Sequence, residues 1–141
     1  MKHVCAATIG LVLLSSAALA SGPEGTWLSQ DGDTKVNVAN CGGKLCGTVV
    51  WLGKPIDAQT GKPKTDKLNP DPAKRARPLL GLQVVRGLSP SGPDKWSGQI
   101  YNADDGNIYQ ASMTVQGAGT ARVQGCVLGV LCKTHTWTRS N

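Results

Sequence analysis

The 141-residue sequence contains no phenylalanine and a single glutamate, Glu24. Scarcity of the strong helix former Glu argues against a helical bundle. The lack of Phe leaves Val, Leu, Trp and Tyr to fill any core. No apolar stretch reaches about 18 unbroken residues, the length a membrane-spanning helix needs. Beyond residue 20 there is one histidine, His135, and no Gly-x-Ser-x-Gly elbow, which argues against a nucleophile-elbow hydrolase and leaves His135 as base only the lesser reading. The cysteines are not spaced as the C-x2-C knuckles of zinc sites. No recognised nucleic-acid-binding motif is present.

What remains is rich in Gly, Val and Thr, a β composition. Residues 1–20 form a separate unit. Lys2 gives a positive start, Ile9 to Leu14 an apolar centre, and Ala18-Leu19-Ala20 a small-residue cleavage site, together a secretory signal peptide. Residues 21–141 then form one domain, expected in the periplasm as a cleaved product. Its 14 bases against 9 acids give a net charge of +5.

Cys41, Cys46, Cys126 and Cys132 lie in this domain. An even count in an exported chain favours disulfides over a four-thiolate zinc site. We expect Cys41–Cys46 and Cys126–Cys132, because each pair flanks a hairpin signal, Gly42-Gly43-Lys44 and Leu128-Gly129. Loops this short restrict the unfolded chain little, by about 2 kcal/mol each. Their use is to pin strand register.

Eight strand segments follow one another between turn signals: Glu24 to Ser29, Thr34 to Ala39, Leu45 to Leu52, Leu80 to Leu88, Asp94 to Asn102, Asn107 to Val115, Thr120 to Val127, and Val130 to Arg139. Short sequential links make an all-β, up-and-down meander, and eight strands are enough to close a small barrel. Closure would bring Gly25-Thr26-Trp27 beside Trp137-Thr138-Arg139. Trp27 then plugs one end and Arg139 lies across its ring, both in structural roles. An open sandwich would need Greek-key crossovers, for which only one connection is long enough.

That connection, residues 53–78, holds five of the eight prolines, seven bases and three acids. Asp71 and Pro72 can cap a short helical turn over Ala73 to Ala76, which Pro78 must end. Residues 54–67 read as flexible. Arg75 and Arg77 can meet a carboxylate or phosphate. Equally, Arg77 can dock the connection by pairing with Asp66. Asp57, Asp66, Asn69 and Asp71 do not match a calcium loop.

A set of motifs runs through the domain in order: Asn40-Cys41-Gly42-Gly43-Lys44-Leu45-Cys46-Gly47, Val50-Trp51-Leu52, Asp66-Lys67-Leu68-Asn69-Pro70-Asp71, Arg75-Ala76-Arg77-Pro78-Leu79-Leu80-Gly81, Trp96-Ser97-Gly98-Gln99-Ile100-Tyr101, Asp105-Gly106-Asn107-Ile108-Tyr109 and Thr136-Trp137-Thr138-Arg139. In this order they resemble the bacterial domain-of-unknown-function family 2147. The resemblance implies a periplasmic, lipocalin-like (calycin-type) eight-stranded barrel, mostly in Gram-negative bacteria, with no established activity. Cys126 and Cys132 lie outside its motifs.

Small barrels can enclose one small ligand. The ligand-binding candidates are Trp51, Trp96, Tyr101, Tyr109, His135, Arg75 and Arg77. Alternation places Trp96 and Ile100 on one face and Tyr101 on the other without saying which is inside. We assign no catalytic residue, metal ligand or cofactor. The function expected is binding of a small amphipathic or anionic molecule, in a protein without nucleic acid as partner. The alternative is a closed barrel that meets an anionic surface or an envelope partner through the basic connection.

Overall fold

The computed structural model describes residues 10–12 and 22–140. The expected signal peptide lies outside these residues except for 10–12. Eight antiparallel strands close into one barrel in sequence order: β1 (Gly25–Leu28), β2 (Thr34–Cys41), β3 (Lys44–Leu52), β4 (Gln83–Gly92), β5 (Lys95–Asn102), β6 (Asn107–Gln116), β7 (Thr120–Val127) and β8 (Leu131–Ser140). The eight expected strands are all present. Among the described residues, no helix is long and apolar enough to cross a membrane.

The fourth strand moves at both ends, finishing at Gly92 rather than Leu88. It begins at Gln83 rather than Leu80. The preceding residues are held in a turn, with Leu82 N–H donating to the Leu79 carbonyl and Gly81 at φ +91°. The connection is thus ordered up to residue 82. Its expected helical turn is shorter and tighter than expected, a 3-10 turn over Pro72–Lys74. Asp71 caps it, accepting from the Ala73 N–H at 3.0 Å. Residues 55–64, which read as flexible, form a small hairpin: Asp57 N–H donates to the Lys62 carbonyl and Lys64 N–H to the Pro55 carbonyl.

Alternation fills the interior. Val36 and Val38, Val85 and Leu88, Met113 and Val115, and Ala121 and Val123 are buried together around Trp27. Trp27 is fully buried and pairs with Arg139 across the β1–β8 seam. The Arg139 guanidinium stands 4.3 Å from the Trp27 ring centre. It donates to the carbonyls of Ala118, Glu24 and Gly22 at 2.6–2.7 Å. Trp27 Nε1 donates to the Pro23 carbonyl at 2.9 Å. Gly25 makes room for this arrangement, since a Cβ there would meet Arg139 Nη1 at 2.6 Å. The barrel is closed at this end by a buried ring whose indole N–H and overlying guanidinium are both hydrogen-bonded.

Both expected disulfides are present, Cys41–Cys46 and Cys126–Cys132. Each ties the two strands of one hairpin, where Cys41 pairs with Lys44 and Cys126 with Cys132 in the ladder.

Candidate functional site

The connection between β3 and β4 is folded onto the outer wall of the barrel over β4–β6. Its anchor is Asp66, whose side chain is fully buried. Burying a carboxylate is costly unless it is paired and hydrogen-bonded. Three hydrogen bonds and one ion-pair contact meet this one. Tyr101 Oη donates to Oδ1 at 2.6 Å, while Asn69 Nδ2 and Arg77 Nε donate to Oδ2 at 2.9 Å each. Arg77 Nη2 lies 2.8 Å from the same oxygen. Burial pushes the Asp66 carboxyl up, but the bonds from Tyr101, Asn69 and Arg77 outweigh it and hold the group below the usual carboxylate range. Burial, then the Asp66 carboxylate, push the Tyr101 phenol up.

Gly106 completes the seat. It is buried at φ +75°, and a Cβ there would collide with the Leu68 carbonyl. Only glycine lets the connection approach the β5–β6 turn this closely.

Beside the anchor lies a pocket of about 310 Å³, bordered by Asn69, Asp71, Lys74, Arg86, Tyr101 and Asn107 among others. Arg86 stacks over Tyr101, 5.3 Å from the ring centre. Its Nε is buried without a hydrogen-bond partner. Two cations against the single carboxylate of Asp71 suit the pocket to a small anionic group.

The seam that closes the barrel is short. β1 pairs with β8 only over Thr138, Arg139 and Ser140. The earlier part of β8 meets the β1–β2 turn at Thr136 N–H, which donates to Gln30 Oε1 at 2.8 Å. Residues directly opposed in a ladder share a face. His135 is opposed to buried Val123, and Lys133 to Gly125, which is itself opposed to buried Ala111. Lys133 and His135 therefore belong to the inner face, yet both are exposed. Tyr109 lies on the same face, next to Gly125. The Lys133 and His135 side chains meet solvent where β8 runs on past its pairing with β1.

The expected ligand residues divide between inside and outside. Trp96 is opposed to buried Met113 and packs against the core. Tyr109 and His135 are on the inner face near the short seam. The Tyr109 hydroxyl is hydrogen-bonded to Asp105, which together with burial pushes the phenol up. Trp51 is outside. The β2–β3 ladder carries a bulge after the Val36–Val49 pair, so that Trp51 faces Lys35. It is 41% exposed, with Lys35 Nζ 5.2 Å from its ring centre. Tyr101 is on the outer wall, beneath the connection. Arg77 is engaged by Asp66, the docking alternative, and Arg75 Nε donates to the Asn69 carbonyl at 2.7 Å. Neither arginine reaches the barrel interior.

Arg86, Asn69 and Lys74 were not among the candidates. Asn69 and Lys74 fall within stretches of the connection that read as caps and surface. Arg86 is an isolated base in an apolar strand, and that interruption of Val84-Val85 was the available signal.

The family model described as "Uncharacterized protein conserved in bacteria (DUF2147)" matches residues 25–139. Among solved structures, the chain is similar to HP1028 from the human pathogen Helicobacter pylori, described as belonging to the lipocalin family. The two are 25% identical, with a TM-score of 0.71, over 89% of this chain and 85% of that one. No curated protein matches the chain.

Proposed function

The chain belongs to the DUF2147 family of uncharacterised bacterial proteins, and we propose that it is an exported lipocalin-like carrier of a small amphipathic or anionic molecule. The ligand enters through the β8–β1 seam. One observation carries this reading: Lys133 and His135 are exposed although they share the face of buried Val123 and Ala111. Apolar groups of the ligand would lie against Tyr109 and the core, and an anionic group against Lys133. Residues 1–20 and the two disulfides support export to the periplasm.

Native mass spectrometry of the protein recovered from a bacterial periplasm tests it. We expect an extra mass that disappears on denaturation and whose occupancy falls in Lys133→Met. A bare mass from every folded preparation would reject a carrier. The unpartnered Nε of Arg86 favours a second reading, with a small anion in the outer pocket. An adduct lost in Arg86→Met but kept in Lys133→Met would select it.

A further inference from the structure

The outer pocket holds a guanidinium that the chain does not neutralise. Arg86 lies on the outer wall of β4, opposed to Gln99, with its Nε buried and unpartnered. Arginine stays charged in proteins. A buried charge is costly unless it is paired and hydrogen-bonded. Among the described residues the ion pairs are Asp57–Lys67 and Asp66–Arg77, so neither Arg86 nor Lys74 has a carboxylate partner. Asn69 and Asp71 are turned to the backbone instead. Asn69 Oδ1 accepts the Asp71 N–H at 2.8 Å, and Asp71 Oδ1 accepts the Ala73 N–H at 3.0 Å.

The charges around the pocket select what could meet Arg86. Arg86 and Lys74 border it with one carboxylate, Asp71. Asp66 and Arg77 pair with each other behind Tyr101. In the β5–β6 turn, Asp105 is engaged by the Asn107 N–H and the Tyr109 hydroxyl. The other two charges on these segments, Arg75 and Asp104, are of opposite sign. The excess is one positive charge, which suits a monoanion. Nε and one Nη form one side of the guanidinium fork, and a carboxylate meets that side through two parallel bonds. The rest of the border is apolar. Ile108, opposed to Tyr101 on the outer wall, is 50% exposed, and Pro70 faces the same space. A phosphate would bring more charge than the pocket balances and would leave Ile108 and Pro70 without a partner. The volume of about 310 Å³ is at the small end for a site that holds a small molecule.

The pocket also has two walls of different origin. The connection supplies Pro70 and Lys74, and the barrel supplies Arg86 and Ile108. The site exists only while Asp66 is seated on Tyr101 and Leu68 lies against Gly106.

We propose that the outer pocket binds a monocarboxylate with an apolar substituent, the carboxylate on Arg86 and Lys74 and the apolar part against Pro70 and Ile108, and that this ligand fastens the connection to the barrel. This rests on the reading of the pocket as an anion site and names the anion.

The test uses the exported protein obtained by expressing the full chain, its starting residue checked by mass. It is titrated with hexanoate, 1-hexanol and inorganic phosphate, and binding is read from backbone amide shifts. We expect saturable binding of hexanoate, with shifts centred on Lys74, Gly106 and Ile108, and none of 1-hexanol. Amide exchange at Asp66 and Leu79 should slow with hexanoate, because a ligand that needs both walls favours the docked connection. Arg86→Lys keeps the charge but removes the fork, and should weaken hexanoate by at least about tenfold, as for loss of a charge-assisted bond. Lys74→Gln, on an exposed turn, should also weaken it with the melting temperature unchanged. Lys133→Met should not. Phosphate bound as tightly as hexanoate, with the same dependence on Arg86, would overturn the carboxylate while keeping the anion site. Hexanoate lost in Lys133→Met but kept in Arg86→Lys would place it in the barrel and overturn the proposal. No saturable binding of either anion would overturn the proposal and the anion reading together.

Discussion

The Tyr101 hydroxyl donates to Asp66 Oδ1 at 2.6 Å, joining the outer wall of β5 to a connection 35 residues earlier in the chain. Through this bond a strand residue with its back to the core becomes buried, and a proline-rich connection gains a fixed position. Tyr101→Phe removes the donor and leaves a buried carboxylate oxygen without it. The expected loss is about 1–3 kcal/mol in urea unfolding, the cost of an unsatisfied buried acceptor. A loss below about 0.5 kcal/mol, usual for surface changes, would mean that the connection is not held there.

The same anchor gives an acid dependence of known sign. Asp66 is held below the ordinary carboxylate value of about 3.9. A depressed folded-state value contributes stability above the unfolded value, and that contribution is lost as pH falls through the folded one. Amide exchange at Asp66 and Leu79, which bond the Arg77 and Lys64 carbonyls, should therefore stay protected at pH 5 and accelerate below about pH 4. In Asp66→Asn the acid limb should flatten, with exchange already fast at neutral pH.

At the closed end, Trp27→Ala should cost about 3–5 kcal/mol, as for other buried large-to-small changes. Arg139→Met should also destabilise, through loss of the ring contact and of three bonds to carbonyls. The two losses should not add, since the residues touch. Denaturant midpoints of the two single variants and the double variant give the coupling directly, and additive losses would contradict the contact.

Outside the barrel, Trp51→Ala should cost under about 1 kcal/mol, because it removes a partly exposed ring and one surface cation–π contact. It should leave any adduct seen by native mass spectrometry at full occupancy. A large loss of stability or of adduct would place Trp51 in the interior.

Much of the fold is legible along the chain, because its signals are local. Asp104-Asp105-Gly106, Gly117-Ala118-Gly119 and Leu128-Gly129 separate the later strands at the expected places. Cys41 and Cys46, and Cys126 and Cys132, flank turns short enough to leave each only one near partner. The bracket of Trp27 and Arg139 shows as a pair of matching motifs at the two ends of the domain. The candidate site is less legible. Simple alternation from Leu45, Gly47 and Val49 puts Trp51 inside, and a single extra residue in β3 turns it out.

The sequence by itself determined eight strands and their up-and-down order and favoured one disulfide pairing of three, since periodicity, turn residues and spacing act between near neighbours. Only the tertiary structure decided which face of β5 is inside. It folded the Asp66 connection over Tyr101, left Arg86 Nε without a partner, and stopped the β8–β1 seam short so that Lys133 and His135 meet solvent. Each of these depends on register and contact between residues far apart in the chain. Alternation fixes which side chains share a face, but only closure of the barrel decides what that face meets.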